Sequence, residues 1–192
     1  MTLQLNTTDV TRTYTNEEFE VLPEFDGRFE LLDGRVVAKA MPSDIHGWIC
    51  DTILGEIYAF DRKRKLGAAW TNATFVIRLG WEPIPDLGYI IASRVPKIRS
   101  EKSIKVVPDL VVEVHSPGDL DSKVGYNAAL NKVGKYLEAG VRIVWAINCR
   151  AQTVEVYHHG QSEPWQTLGV KDRLDGEDVI PGFELKVARL FE

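Results

Sequence analysis

Apolar residues recur along this chain with two different periods, and the change from one to the other marks out its elements. The chain is organised around Val106–His115, VVPDLVVEVH, an apolar run interrupted after Pro108-Asp109 only by Glu113 and His115. As a strand it turns Asp109, Val111, Glu113 and His115 to one face and Leu110, Val112 and Val114 to the other. So apolar a run predicts a buried strand of a layered fold, where charged groups are rare unless paired or bound to metal. Here an acid and an imidazole stand side by side on it, and that anomaly calls for chemistry.

The other elements follow from similar patterns. Residues 1–14 show no period and read as a loose arm. Thr15-Asn-Glu-Glu18 has the spacing of a capping box and predicts a short helix carrying Phe19 and Leu22, ended by Pro23 and Gly27. Arg28–Val37 predicts a hairpin turning at Asp33-Gly34, with Glu30 among apolar neighbours. Ser43 caps a helix predicted over 44–65, with Ile45, Trp48, Ile49, Ile53, Ile57 and Phe60 on one buried face. It closes in the basic run Arg62–Lys65, which reads as a solvated helix end or as a phosphate contact. Strands are predicted over 68–79 and 86–91, then a basic connection over 92–105 carrying Arg94, Lys97, Arg99, Lys102 and Lys105. After Ser116–Asp119 comes a helix over about 122–139, with Gly140 as its C-cap, and strands over 141–147 and 153–157. The tail is irregular, and no repeat or linker interrupts the chain. This order predicts one α/β domain over 1–192, a mixed sheet flanked by helices with an N-terminal hairpin.

Composition narrows the partners. With 192 residues, 44% hydrophobic and 27% charged, the chain is long enough for a substantial core. A net charge of −5 excludes a general nucleic-acid coat, so any DNA contact must come from local basic clusters. Cys50 and Cys149 lie in apolar segments and suggest reduced thiols, hence a cytoplasmic protein. No signal peptide or membrane span is expected. Zinc spacing, Walker loop, GxGxxG and GxSxG are all missing from the sequence.

Carboxylates carry the chemistry that remains. Along a regular strand Asp109 and Glu113 are roughly 13 Å apart, too far to grip one ion. Glu113 therefore needs an acid from a neighbouring strand. Asp86, which also follows a proline and opens an apolar strand, is the natural partner. Asp109 joins only if its strand bends, and Glu30 can add an oxygen from the hairpin. Lys132, four residues before Tyr136, is placed either to reach the sheet and polarise a phosphate or to sit in solvent; Lys135 favours solvent. His115 is either a lysine substitute or an ordinary hydrogen-bonding residue. His46, in a first helical turn, reads as unremarkable, and His158 and His159 as exposed.

Taken in order, Glu30-Leu-Leu-Asp-Gly34, His46, Pro85-Asp86, Pro108-Asp109-Leu-Val-Val-Glu113-Val, Ser116-Pro117, Lys132-x-x-x-Tyr136, Ala139-Gly-Val-Arg-Ile-Val-Trp145, Pro181-Gly182-Phe183 and Leu190-Phe191 form a recognisable set. Over residues 15–191 the chain resembles the Uma2 family, the "putative restriction endonucleases" of the PD-(D/E)xK nuclease-like superfamily. The resemblance implies a restriction-endonuclease-like core with the site at one sheet edge. It implies Mg²⁺, replaceable by Mn²⁺, held by an acid on one strand and a Glu-x-Lys on the next, and cleavage of DNA phosphodiesters. Carried over, Asp86 matches the first acid, Glu113 the second and Asp109 the second Pro-Asp, with Glu30 assisting. His115 stands at the lysine position of Glu-x-Lys. Lys132 matches a lysine relocated to the helix, with Lys135 and Lys123 as alternatives in its register. A homodimer addressing two strands is expected. The competing expectation is a catalytically weak or inactive nuclease-like fold kept for nucleic-acid binding or assembly, in line with the acidic charge and the missing Glu-x-Lys.

Overall fold

The computed structural model describes residues 12–22, 27–115 and 120–192. Helix α1 (Asn16–Glu20) begins with the expected capping box: Thr15 accepts from the Glu18 N–H while the Glu18 side chain accepts from the Thr15 N–H. Pro23 and Ser116–Asp119 lie outside the described residues. Strands β1 (Arg28–Leu32) and β2 (Arg35–Lys39) form the hairpin. Asp33 at φ 51° and Gly34 at φ 77° give the two left-handed positions that such a tight turn needs.

Six strands build the main sheet in the spatial order β3 (Gly67–Thr71), β4 (Leu87–Ile91), β5 (Leu110–His115), β6 (Ile143–Asn148), β7 (Thr153–His158), β8 (Gln166–Leu168). β5 and β6 run parallel and the other neighbours antiparallel. The parallel step is bridged by the long helix α3 (Lys123–Glu138), capped by Ser122 and followed by Gly140 at φ 97°.

The two faces of β5 divide the core. Leu110, Val112 and Val114 pack with Ile49, Cys50, Ile53 and Ile57 of helix α2 (Asp44–Phe60) and with the C-terminal residues Leu174, Phe183 and Leu190. That C-terminal part holds a second small hairpin, β9 (Arg173–Asp175) with β10 (Glu184–Lys186). Val111, on the opposite face, packs with Val133, Tyr136 and Leu137 of α3 and with Phe75 and Trp81. Glu113 shares that face, so α3 is the element that must answer its charge.

Several expectations are corrected. α2 stops at Phe60 rather than Lys65, because the Asp61 carboxylate accepts from the Lys65 and Leu66 N–H groups and turns the chain. The basic run is thus a turn, and Trp48 and Phe60 are about half exposed. The strand expected over 68–79 ends at Thr71, since Asn72 takes a left-handed φ of 56°; Phe75 then bridges to Ile104 instead of extending the strand. Cys149 is half-buried. His158 is half-buried against Glu177, whereas His159 is exposed as expected, its ring meeting the Leu137 carbonyl. Among the described residues no helix is long and apolar enough to cross a membrane.

Candidate active site

The site is assembled at one end of β4 and β5. Leu87 pairs with Val112 in the antiparallel register. One step further along, Asp86 stands beside Glu113, which is how residues 27 positions apart come together from neighbouring strands. The tie is direct, for the Val114 N–H donates to Asp86 Oδ2 at 2.8 Å.

Helix α3 supplies the next layer. Lys132 and Tyr136 are one turn apart and share a face. The Tyr136 hydroxyl donates to Glu113 Oε1 at 2.8 Å, and Lys132 Nζ lies 3.1 Å from the same oxygen. Lys132 also donates to Glu30 Oε1 at 3.2 Å. Glu30 is held in turn by the Ile84 N–H, 2.8 Å away, because β1 docks on the segment before Asp86 through Leu31 and Glu82. The hairpin contributes a second cation: Lys39, closing β2, donates to Asp86 Oδ1 at 2.9 Å and to the Ile84 carbonyl. His46 Nε2, one turn into α2, reaches the same Asp86 oxygen at 3.1 Å.

Glu30, Lys39, His46, Asp86, Glu113 and Lys132 line a cavity of about 690 Å³, walled by the hairpin, the start of α2, the end of β5 and α3. His115 lines it as well, two residues beyond Glu113 on the same face. Asp86, Glu113 and Glu30 are each buried. Burial alone would raise the Asp86 pKa, but the His46 and Lys39 contacts and the Val114 N–H outweigh it and hold the carboxyl well below the usual carboxylate range. Burial would likewise discharge Lys132, yet Glu113, Glu30 and Asp86 reverse the effect and push its pKa above that of an ordinary lysine. Lys132 is therefore a fixed cation and no base. Tyr136 is pushed up by burial and by Glu113, so its hydroxyl stays a donor.

Of the residues expected from sequence, Glu30, Asp86, Glu113, His115 and Lys132 are brought to this cavity. Asp109 is not. It sits at the other end of β5, where its carboxylate accepts from Arg94 at 2.7 Å and from the Ile91 N–H at 3.0 Å. The strand does not bend to bring it round, and its oxygens are committed to closing the β4–β5 end. Lys135 lines the cavity mouth and pairs with the half-exposed Asp33. Lys123 is the first residue of α3, more than two turns before Lys132. His46, Lys39 and Tyr136 complete the constellation. His46 reads from its local pattern as unremarkable; its signals were its place in the family's ordered set and a position in the first turn, at the helix end that faces the cavity.

Among the described residues no three His, Cys, Asp or Glu side chains converge closely enough to hold an ion by themselves. Mg²⁺ asks for less: one or two carboxylates, completed by water and phosphate oxygens. The hard oxygens of Asp86 and Glu113 in a roomy cavity meet that requirement.

A mixed sheet with a helix on each face and paired acids at one strand end is a restriction-endonuclease-like arrangement. Residues 16–188 match the model of the family described as "Uma2: Putative restriction endonuclease", and the chain belongs to that family. Its fold is similar to the crystal structure of a putative nuclease belonging to DUF820 from Anabaena variabilis ATCC 29413. The TM-score is 0.71 at 24% identity, over 92% of this chain and 97% of that one. No match was found among curated proteins.

Proposed function

We propose that this protein is a Mg²⁺-dependent endonuclease hydrolysing DNA phosphodiester bonds in the cavity between the hairpin and α3. The observation that carries this reading is the convergence of Asp86, Glu113 and Glu30 with Lys132, charged groups from four separate parts of the chain, on one buried spot. Asp86 and Glu113 would hold the metal, with Mn²⁺ able to replace Mg²⁺. When bound, the ion supplies charge stabilisation of the phosphate and a more acidic water.

The protein's own groups do the rest. Lys132, kept protonated, faces the scissile phosphate and neutralises charge that builds on its oxygens in the transition state. Glu30 and Tyr136 are positioning residues: the first fixes the ammonium, the second orients the Glu113 carboxylate. His46 orients Asp86 in the same way. His115, at the cavity edge, is placed to pass a proton to or from the reacting oxygens. The exposed basic turn at 62–65 and the segment 94–105 would contact the DNA backbone, which positions without reading sequence. Two copies acting as a homodimer would address two strands.

Isothermal titration with Mg²⁺ and Mn²⁺, with nicking of supercoiled plasmid followed in the same buffers, tests this in wild type and Glu113→Ala. Metal binding and nicking in wild type, both lost in the variant, are expected. A nuclease-like fold kept for binding is the second reading, favoured by the net charge of −5 and by carboxylates already met by lysines. It predicts DNA retention with neither metal binding nor nicking.

A further inference from the structure

Lys39 has no part in the reaction just described, yet it occupies the centre of the site. Its side chain is 12% exposed, and its ammonium is held by Asp86 Oδ1 at 2.9 Å and by the Ile84 carbonyl. With His46 on the same oxygen and the Val114 N–H on the other, Asp86 already has three donors. A carboxylate has room for about four. Glu30, Asp86 and Glu113 bring three negative charges to the cavity, and Lys39 and Lys132 return two positive ones. The cavity is therefore nearly neutral before any ion enters, and a divalent ion added to it would leave an excess of buried positive charge. Expelling one ammonium as the ion enters brings these five side chains and the ion to neutrality. Lys132 is gripped from two sides by Glu30 and Glu113, whereas Lys39 has a single carboxylate at the end of a flexible four-carbon stem.

We infer that Lys39 is a displaceable counter-ion of Asp86: it fills the cation position on that carboxylate, a divalent ion must expel it to bind, and the expelled ammonium then stands exposed in the cavity. The inference deepens the metal-site reading given above, but competition between lysine and ion does not depend on hydrolysis.

Titration calorimetry with Mn²⁺ alone reads the competition directly. Lys39→Met, which keeps the stem and removes the charge, binds Mn²⁺ about tenfold more tightly than wild type, an ordinary size for a coupling between two ligands. Lys39→Arg stays near wild type. Unchanged or weaker Mn²⁺ affinity in Lys39→Met overturns the inference. A second measurement uses the wild-type protein and so does not depend on how the variants fold. Acylation of lysines with acetic anhydride, read by mass spectrometry, is slow at Lys39 without metal and several-fold faster with Mg²⁺. Equal labelling with and without Mg²⁺ overturns it. Tighter Mn²⁺ binding in Lys39→Met without plasmid nicking by either protein supports the counter-ion role and counts against the hydrolysis reading alone.

Discussion

Lys132 is shared between two buried carboxylates, Glu113 at 3.1 Å and Glu30 at 3.2 Å, so its removal leaves both without their common cation. Breaking a buried pair by deleting one partner costs about 3–5 kcal/mol, and urea denaturation of Lys132→Met should show a loss of that order. The pH dependence follows from the same cluster. Asp86 titrates below the ordinary range, so its contribution is complete above about pH 4, the unfolded value, and is lost as pH falls through the folded one. Lys132 is raised, so its contribution is complete below about pH 10 and lost only as pH climbs through the higher folded value. Stability measured against pH should therefore fall at the acid end in wild type, with a shallower fall in Asp86→Asn. Cys50 belongs to this neighbourhood too. Burial, then the charge of Asp86, pushes its thiol up to about 12, so iodoacetamide at neutral pH should modify it only when the protein unfolds.

At this scale the acids and Lys132 were legible, and the cations on Asp86 were not. Glu113 stands out as a charge inside an apolar strand, and Asp86 follows from the need for a neighbour. Lys39 and His46 are single polar residues among apolar neighbours, Lys39 at the end of a short hairpin strand and His46 in a first helical turn, and only the docking of the hairpin and of α2 onto β4 gives them a role. Asp109 carries the same signature as Asp86, a proline followed by an apolar strand. Its commitment to Arg94 depends on a contact across 15 positions that local pattern does not contain.

Elements with a strong period or a cap were readable from the chain: α1 through Thr15 and Glu18, the hairpin through Asp33-Gly34, α3 through its apolar period and Gly140. The segment 72–85 was not, because it folds back on itself, Phe75 to Pro83, and reaches distant chain, Val76 to Ile104, while its composition looks strand-like. That segment also explains a glycine. The Phe75 ring covers Gly88 in β4, and a Cβ there would meet ring atoms at 2.6 and 2.8 Å. Gly88→Ala is expected to destabilise by about 1–3 kcal/mol through overpacking, and chemical denaturation checks it. Because Gly88 is two residues from Asp86, the same variant should lose metal affinity even under conditions where it stays folded.

Across the whole molecule, the hairpin, the start of α2, the β4–β5 end and α3 all line the cavity, so one local charge arrangement joins elements from the first 140 residues. The fold class was legible because the alternation of strands and helices is strong; the meeting of Asp86 and Glu113 followed from strand pairing, whereas the entry of Lys39 and His46 depends on tertiary docking of short elements. The proposed function puts the reaction at Lys132 and the carboxylates around it. Its most direct test is the rate of supercoiled-plasmid nicking in Mg²⁺ by wild type, Lys132→Met and Lys135→Met, each confirmed folded by circular dichroism. Wild type is expected to nick, Lys135→Met to stay near it, and Lys132→Met to fall by about a hundredfold or more, the size of a lost transition-state donor. Equal rates for Lys132→Met and wild type, or no nicking by wild type at all, would contradict the account.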